Sequence, residues 1–425
     1  MIINEQEQKI IEWTRLKFGL AHYDLCRSSY SRRVTLFNET VYQFCMEWFP
    51  KEADIVEENL NPEGTAVITI DLQTNKVESA IFVEGATYAE HGVVFQQRDV
   101  ESIIKWIEAE TNLIYGRHFQ LESHKGDKYV FKECYKGIDI SPPGYIELKL
   151  NSEGKLVFYS VYGQFPKEEV VKEEEYTLTV EQVKKTAQAQ IKLIHHPSFE
   201  EEKIHAIYAV EEIYIANDLS KTFPFEGFTD RCGRIELEEL LVWSEPLQNN
   251  FTLSELMLIE DISAKQAFTN EPSADTEPIN ESEVTAYIDV VQTFLRQVYP
   301  EYSGEWLLTS FNRDIGYIHA NLIGSKKNSF VFQRKLKVFI DPRSLEVINY
   351  IDNQLLIDQF KSYDGPEEVV LSKEEAYEKI KEFIVLKPCY VYDFDTRKYI
   401  LSAMIDSLYG VDANTGEVFL LADRK

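Results

Sequence analysis

Histidine and cysteine are the side chains best able to hold a metal or to act as base or nucleophile near neutral pH. The chain has eight histidines and five cysteines. His195, His196 and His205 lie close together beside Glu200 and Glu201, a grouping that could form a metal corner for hydrolysis. Their spacing matches no His-x-x-x-His helical pair, and Pro197 is expected to end a helix there, so a structural or solvated role is preferred. Cys232 stands in a turn beside Arg231 and Arg234, cations that could lower a thiol pKa, but a turn cysteine between surface arginines is more often incidental. With 72 Asp and Glu, chance carboxylate pairs cannot be told from a glycosidase-type pair, and Glu173-Glu174-Glu175 and Glu200-Glu201-Glu202 read as solvated charge runs. Gly-x-Ser-x-Gly, Walker, GxGxxG and HExxH motifs are all absent. The expectation is a non-enzyme with no catalytic, cofactor-binding or metal residues and no cofactor.

The elements that would position such residues are legible from caps and periodicity. Five helices are expected, after Asn4, Asp99, Thr179, Asn280 and Ser372. Four of these caps are followed three residues on by Glu7, Gln182, Glu283 and Glu375, the capping-box position. Apolar stripes follow, such as Val100, Ile103, Ile104 and Ile107, and such stripes form core. Between the helices, runs such as 65–70, 145–150, 155–161, 317–322, 330–340, 389–394 and 399–405 read as antiparallel strands. A turn recurs among them, starting at Asp71, Asn151, Asp230, Asp341 and Asp412. An Asp or Asn that closes a strand can accept from the backbone two residues on, and a later Gly or Asn supplies a positive φ. Leu345 occupies that later position after Asp341.

The fold class expected is therefore α+β, with about five tandem units of one helix packed on an antiparallel meander. Thr179–Ile191 aligns without gaps over Ser372–Ile384, and the stripe 100–107 over 284–291. The expected domains are a single unit at 1–97, a pair at 98–264, an acidic linker at 265–280 carrying Glu271-Pro-Ser-Ala-Asp-Thr-Glu-Pro, and a second pair at 281–425.

The segment Tyr409-Gly-Val-Asp-Ala-Asn-Thr-Gly-Glu-Val418, after a Ser-x-x-Glu helix start at Ser372, resembles the PepSY-like repeats of the bacterial YcdB/YcdC family. Tyr145–Leu156 is similar to the other common form of that repeat. The resemblance covers most of 98–425. It implies an α+β repeat without an established catalytic centre, of a kind found in protease propeptides and cell-surface proteins, with inhibition or protein binding as the role. The matched positions make turns, so no functional residue carries over.

Composition narrows the partners. A net charge of -28 repels phosphate backbones and anionic membrane surfaces, so neither nucleic acid nor membrane is an expected partner. No apolar run is long enough to span a bilayer, and Asn4 to Lys9 interrupt any export-signal pattern. The odd, scattered cysteines suit a reducing cytoplasm. The functional expectation is a non-catalytic protein- or peptide-binding protein with a basic or extended peptide partner. A metal-assisted hydrolase and a structural spacer are the alternatives, and the oligomeric state is open.

Overall fold

In the computed structural model, residues 2–52, 60–225, 233–247, 251–257, 260–326 and 329–424 are described. The chain is mixed α/β, with seven helices among the described residues and large antiparallel sheets. It divides into two compact units that each draw on distant stretches of sequence. One comprises Met1–Lys172, Ile259–Thr276 and Tyr390–Tyr399; the other comprises Glu173–Leu258, Glu277–Cys389 and Ile400–Lys425. These bounds differ from the divisions expected at 97, 264 and 280.

In the first unit, α1 (Ile2–Lys17) precedes four strands, Tyr23–Val34, Thr40–Pro50, Ala66–Asp71 and Lys76–Phe82, which pair in sequence order. The helix starts before Asn4, which lies in its first turn; helix ends commonly shift by such amounts. α2 (Val100–Thr111) precedes Phe119–Lys125, Lys128–Tyr135, Tyr145–Leu150 and Leu156–Tyr162. These pair in turn, with the short strand Ile138–Ser141 set off Lys128–Tyr135. The two groups join edge to edge, Ser79 opposite Ser160. Strand alternation puts Phe44, Met46 and Trp48 on the core face, where Ile103 and Ile107 of α2 also pack. Asp99 caps α2 as expected, accepting from the Ser102 N–H at 2.7 Å.

The stretch expected to be a linker is structured in part. Ser263 caps α4 (Ala264–Thr269) with a full capping box, and Ala267 and Ile262 are buried against Tyr42 of the first unit. Acidic composition hid a Ser-x-x-Gln box that meets the same rule used elsewhere.

In the second unit, α5 (Glu281–Val298) buries Tyr287, Val291, Phe294 and Leu295 on a five-stranded sheet. Its order is Ile235–Leu241, Trp306–Asp314, Tyr317–Gly324, Lys335–Asp341, Glu346–Asp352. α6 (Gln354–Asp358) follows. α3 (Val180–Gln190) and α7 (Lys373–Ile380) start at their expected capping boxes and share one core, with Val183, Ala187, Ala376 and Ile380 buried together. Their strands do not form two separate meanders. Lys203–Val210, after α3, pairs with Tyr409–Asp412, after α7; Ile213–Ala216 pairs with the second half of Lys398–Asp406. The second strand after each of these helices thus pairs with the third strand after the other.

The turns behave as their chemistry requires. Asp71, Asp341 and Asp412 each accept two backbone N–H groups, from residues two and three further on, and Asn151 accepts from Glu153 and Lys155. Asn75, Gly154, Leu345 and Gly416 take positive φ, so Leu345 adopts the conformation expected of Gly or Asn. Asp230 lies outside the described residues. A further turn of the same type, at Asp393, accepts from the Asp395 N–H and the Thr396 hydroxyl, with Arg397 at φ 53°.

Candidate functional site

The histidine cluster is a strand feature. His195 and His196 lie on Ile191–Ser198, and His205 on the antiparallel Lys203–Val210, with His196 directly opposite His205. Pro197 is therefore no helix stop: α3 ends at Gln190 and the chain is already extended. Proline is tolerated because Ile191–Ser198 ends its sheet and only part of its backbone is paired. His205 is buried, with Nε2 3.0 Å from Glu201 Oε2. The contact does not meet hydrogen-bond geometry, and Nε2 has no hydrogen-bond partner among the described residues. Burial, then the neighbouring His205 and Arg424, push the His196 pKa down, and burial does the same to His195. Arg424 lies 3.0 Å from Asp412. Burial raises the Asp412 carboxyl, but the N–H groups of Thr415 and Asn414 and then Arg424 outweigh it and leave it low. His195 faces elsewhere in the pairing, exchanging backbone hydrogen bonds with Ser329 and Val331. Among the described residues, no three His, Cys, Asp or Glu side chains are grouped so as to hold a metal ion. Cys232 and Arg231 lie outside the described residues.

The most unusual titratable group is one the sequence reading passed over. Glu133, in the first unit, is 1% exposed. Along Lys128–Tyr135 it shares the parity of Tyr129 and Phe131, so strand alternation delivers a carboxylate to the core side. There it accepts three backbone N–H groups, from Gly144 at 2.8 Å, Gln164 at 3.3 Å and Phe165 at 2.5 Å. Its own N–H donates to the Gly144 carbonyl at 2.8 Å. A Cβ on Gly144 or Gly163 would collide with Glu133 Oε2, so both glycines are needed for the backbone to approach. Burial lifts the carboxyl pKa to about 7, against the lowering effect of the three N–H groups. The signal that marks it in sequence is a charged residue at a core-parity position of a strand. Its partners are main-chain groups from other loops, which leave no motif.

A recess in the first unit, lined by Phe18, Phe82, Ala89, Val93 and Leu156, encloses about 240 Å³ including space open to solvent. Sheet edges are more prominent. Tyr23–Val34, 12 residues long, ends its sheet and pairs with Thr40–Pro50 alone among the described residues. Cys26 to Ser29 are exposed, and Cys26 is the extra residue of a bulge between Leu25 and Arg27. No helix among the described residues is long and apolar enough to cross a membrane.

No family model matches this chain, and no curated protein matches it. Among solved structures it is similar to the Bacillus megaterium YpeB C-terminal domain, at 8% identity over 81% of this chain and 96% of that chain. The TM-score is 0.26, too low for the likeness to carry an argument.

Proposed function

We propose that this protein is a non-catalytic repeat protein that binds proteins or peptides, the bound segment adding as a strand to an exposed sheet edge. The observation that carries the reading is the free edge of Tyr23–Val34. A long edge strand presents a row of unsatisfied N–H and C=O groups, and natural proteins usually shorten or cover such edges. With a net charge of -28, the preferred partner is an extended basic segment. The tandem layout is part of the proposal: α1 and α5 each precede four antiparallel strands, and α2 precedes four longer strands with the short Ile138–Ser141 among them, which supports a repeated helix-on-meander unit. A reducing, cytoplasmic setting is proposed from the unbridged thiols of Cys26, Cys45 and Cys134.

The test uses binding of fluorescent strand-forming peptides of about ten residues, basic and acidic, to the full chain. Successive N–H groups of a strand point to opposite sides. Of Ser28→Pro and Ser29→Pro, one therefore blocks the outward edge and spares the fold, while the other breaks the pair to Thr40–Pro50. The expected result is salt-sensitive binding of basic peptides that the outward proline abolishes. Binding that persists unchanged in the folded proline variant, or no binding at all, would sink the proposal.

A further inference from the structure

We infer that Glu133 is a proton-operated latch that holds together two chain reversals, Ser141 to Gly144 and Gly163 to Phe165. The inference is independent of edge-strand binding and rests on the geometry of the carboxyl. Its oxygens gather N–H groups from both reversals, Gly144 on one side and Gln164 and Phe165 on the other. The adjoining ladder sets Tyr145 opposite Tyr162, and beyond its end Gly144 and Gly163 approach so closely that only hydrogen separates their Cα atoms from the carboxyl oxygen. Phe165 is held at φ 44°, a left-handed conformation a bulky residue rarely adopts, and its N–H bond to Glu133 maintains it.

The groups facing the carboxyl set the direction of the response. Tyr399, on Lys398–Asp406, faces it; burial and then the Glu133 charge raise that phenol's pKa. Next to Glu133 along Lys128–Tyr135, the Cys134 thiol is also raised, chiefly by burial. Both are neutral near pH 7 and offer the carboxylate no compensating positive charge. From the two reversals come only main-chain N–H groups, and no Lys, Arg or His among the described residues acts on the carboxyl. The ionised form is therefore paired but poorly solvated, and its pKa in the closed state, about 7, exceeds that of a hydrated carboxylate. By linkage, the closed state binds the proton more tightly than an opened, hydrated one. Closure is strongest below the ordinary carboxylate pKa and weakens as pH rises, with the change complete once pH passes about 7.

The experiment is hydrogen exchange read by mass spectrometry on the full-length protein at pH 5, 6 and 7, corrected for intrinsic exchange, in peptides covering 141–146 and 162–167. In the wild type, the corrected opening equilibrium should rise roughly tenfold per pH unit. In Glu133→Gln, which cannot ionise, it should stay flat, while peptides from the five-stranded sheet respond equally in both proteins. A flat wild-type profile, or equal slopes in wild type and variant, overturns the inference. Should Glu133→Gln fail to fold, a carboxyl-carbon titration of wild-type protein labelled at glutamate decides. A buried resonance with a midpoint near neutrality supports the latch, and only midpoints in the ordinary carboxylate range overturn it.

Discussion

Single residues in this protein show where chemistry yields to geometry. Leu345 and Ile315 sit at φ 56° and 51°, in turns where Asn or Gly is the unstrained choice. Each replacement, Leu345→Asn and Ile315→Asn, should raise stability by about 1 kcal/mol, seen as a higher urea midpoint with unchanged m-value. Removing the buried carboxyl should act the other way. Glu133→Ala orphans three N–H groups and should cost roughly 2–4 kcal/mol, and Gly144→Ala, which drives a Cβ into Glu133 Oε2, about 2–3 kcal/mol. Leu345 was legible as the odd member of its turn family because turn chemistry is local. Glu133 was not, because its environment is assembled from 144 and 163–165, and only strand parity hints that it points inward. The histidines fall between: their proximity was visible, but the pairing of His196 with His205 required knowing that both lie on strands.

At the scale of elements, caps and turns gave boundaries that hold. The helices after Asp99, Thr179, Asn280 and Ser372 begin where the side chains predict, since a cap satisfies N–H groups within four residues of itself. Ser372→Ala should therefore destabilise by about 1 kcal/mol and speed exchange in the first turn of α7. The hairpin carboxylates add a pH dependence. The N–H of Ser344 leads the groups that hold the Asp341 carboxyl below its ordinary range, so the stability it contributes is present above the unfolded pKa and lost as pH falls through the folded one. Wild type should exceed Asp341→Asn in urea midpoint at pH 7, and the two should converge near pH 2. The segment 265–280 shows the opposite case: its composition resembles a linker, yet a Ser263–Gln266 box and the small Ala267 dock α4 on Tyr42. Composition averages over a window, whereas docking depends on one buried methyl and one aromatic ring.

The whole molecule is where contiguous sequence fails as a guide. Residues 281–425 read as a self-contained pair of units, but Tyr409–Asp412 and Lys398–Asp406 find partners at 207–216. An isolated 281–425 fragment should thus show no single cooperative thermal transition spanning α7 and its strands. Likewise a chain stopped after Pro388 removes Tyr390–Tyr399 from one unit and 400–425 from the other. Of the five tryptophans, the buried Trp48 in the first unit and Trp306 in the second should become more exposed, read as a red shift in emission. The sequence by itself determined the local units: where helices start, which turns close hairpins, and that Thr179–Ile191 aligns without gaps over Ser372–Ile384, because each rests on hydrogen bonds and apolar stripes within a few residues. Only the tertiary structure decided which strands pair with which, that Glu133 meets two distant loops, and that Tyr23–Val34 pairs with Thr40–Pro50 alone among the described residues. Edge pairing between antiparallel strands depends on proximity and register among equivalent backbones, and the backbone is the same in every strand.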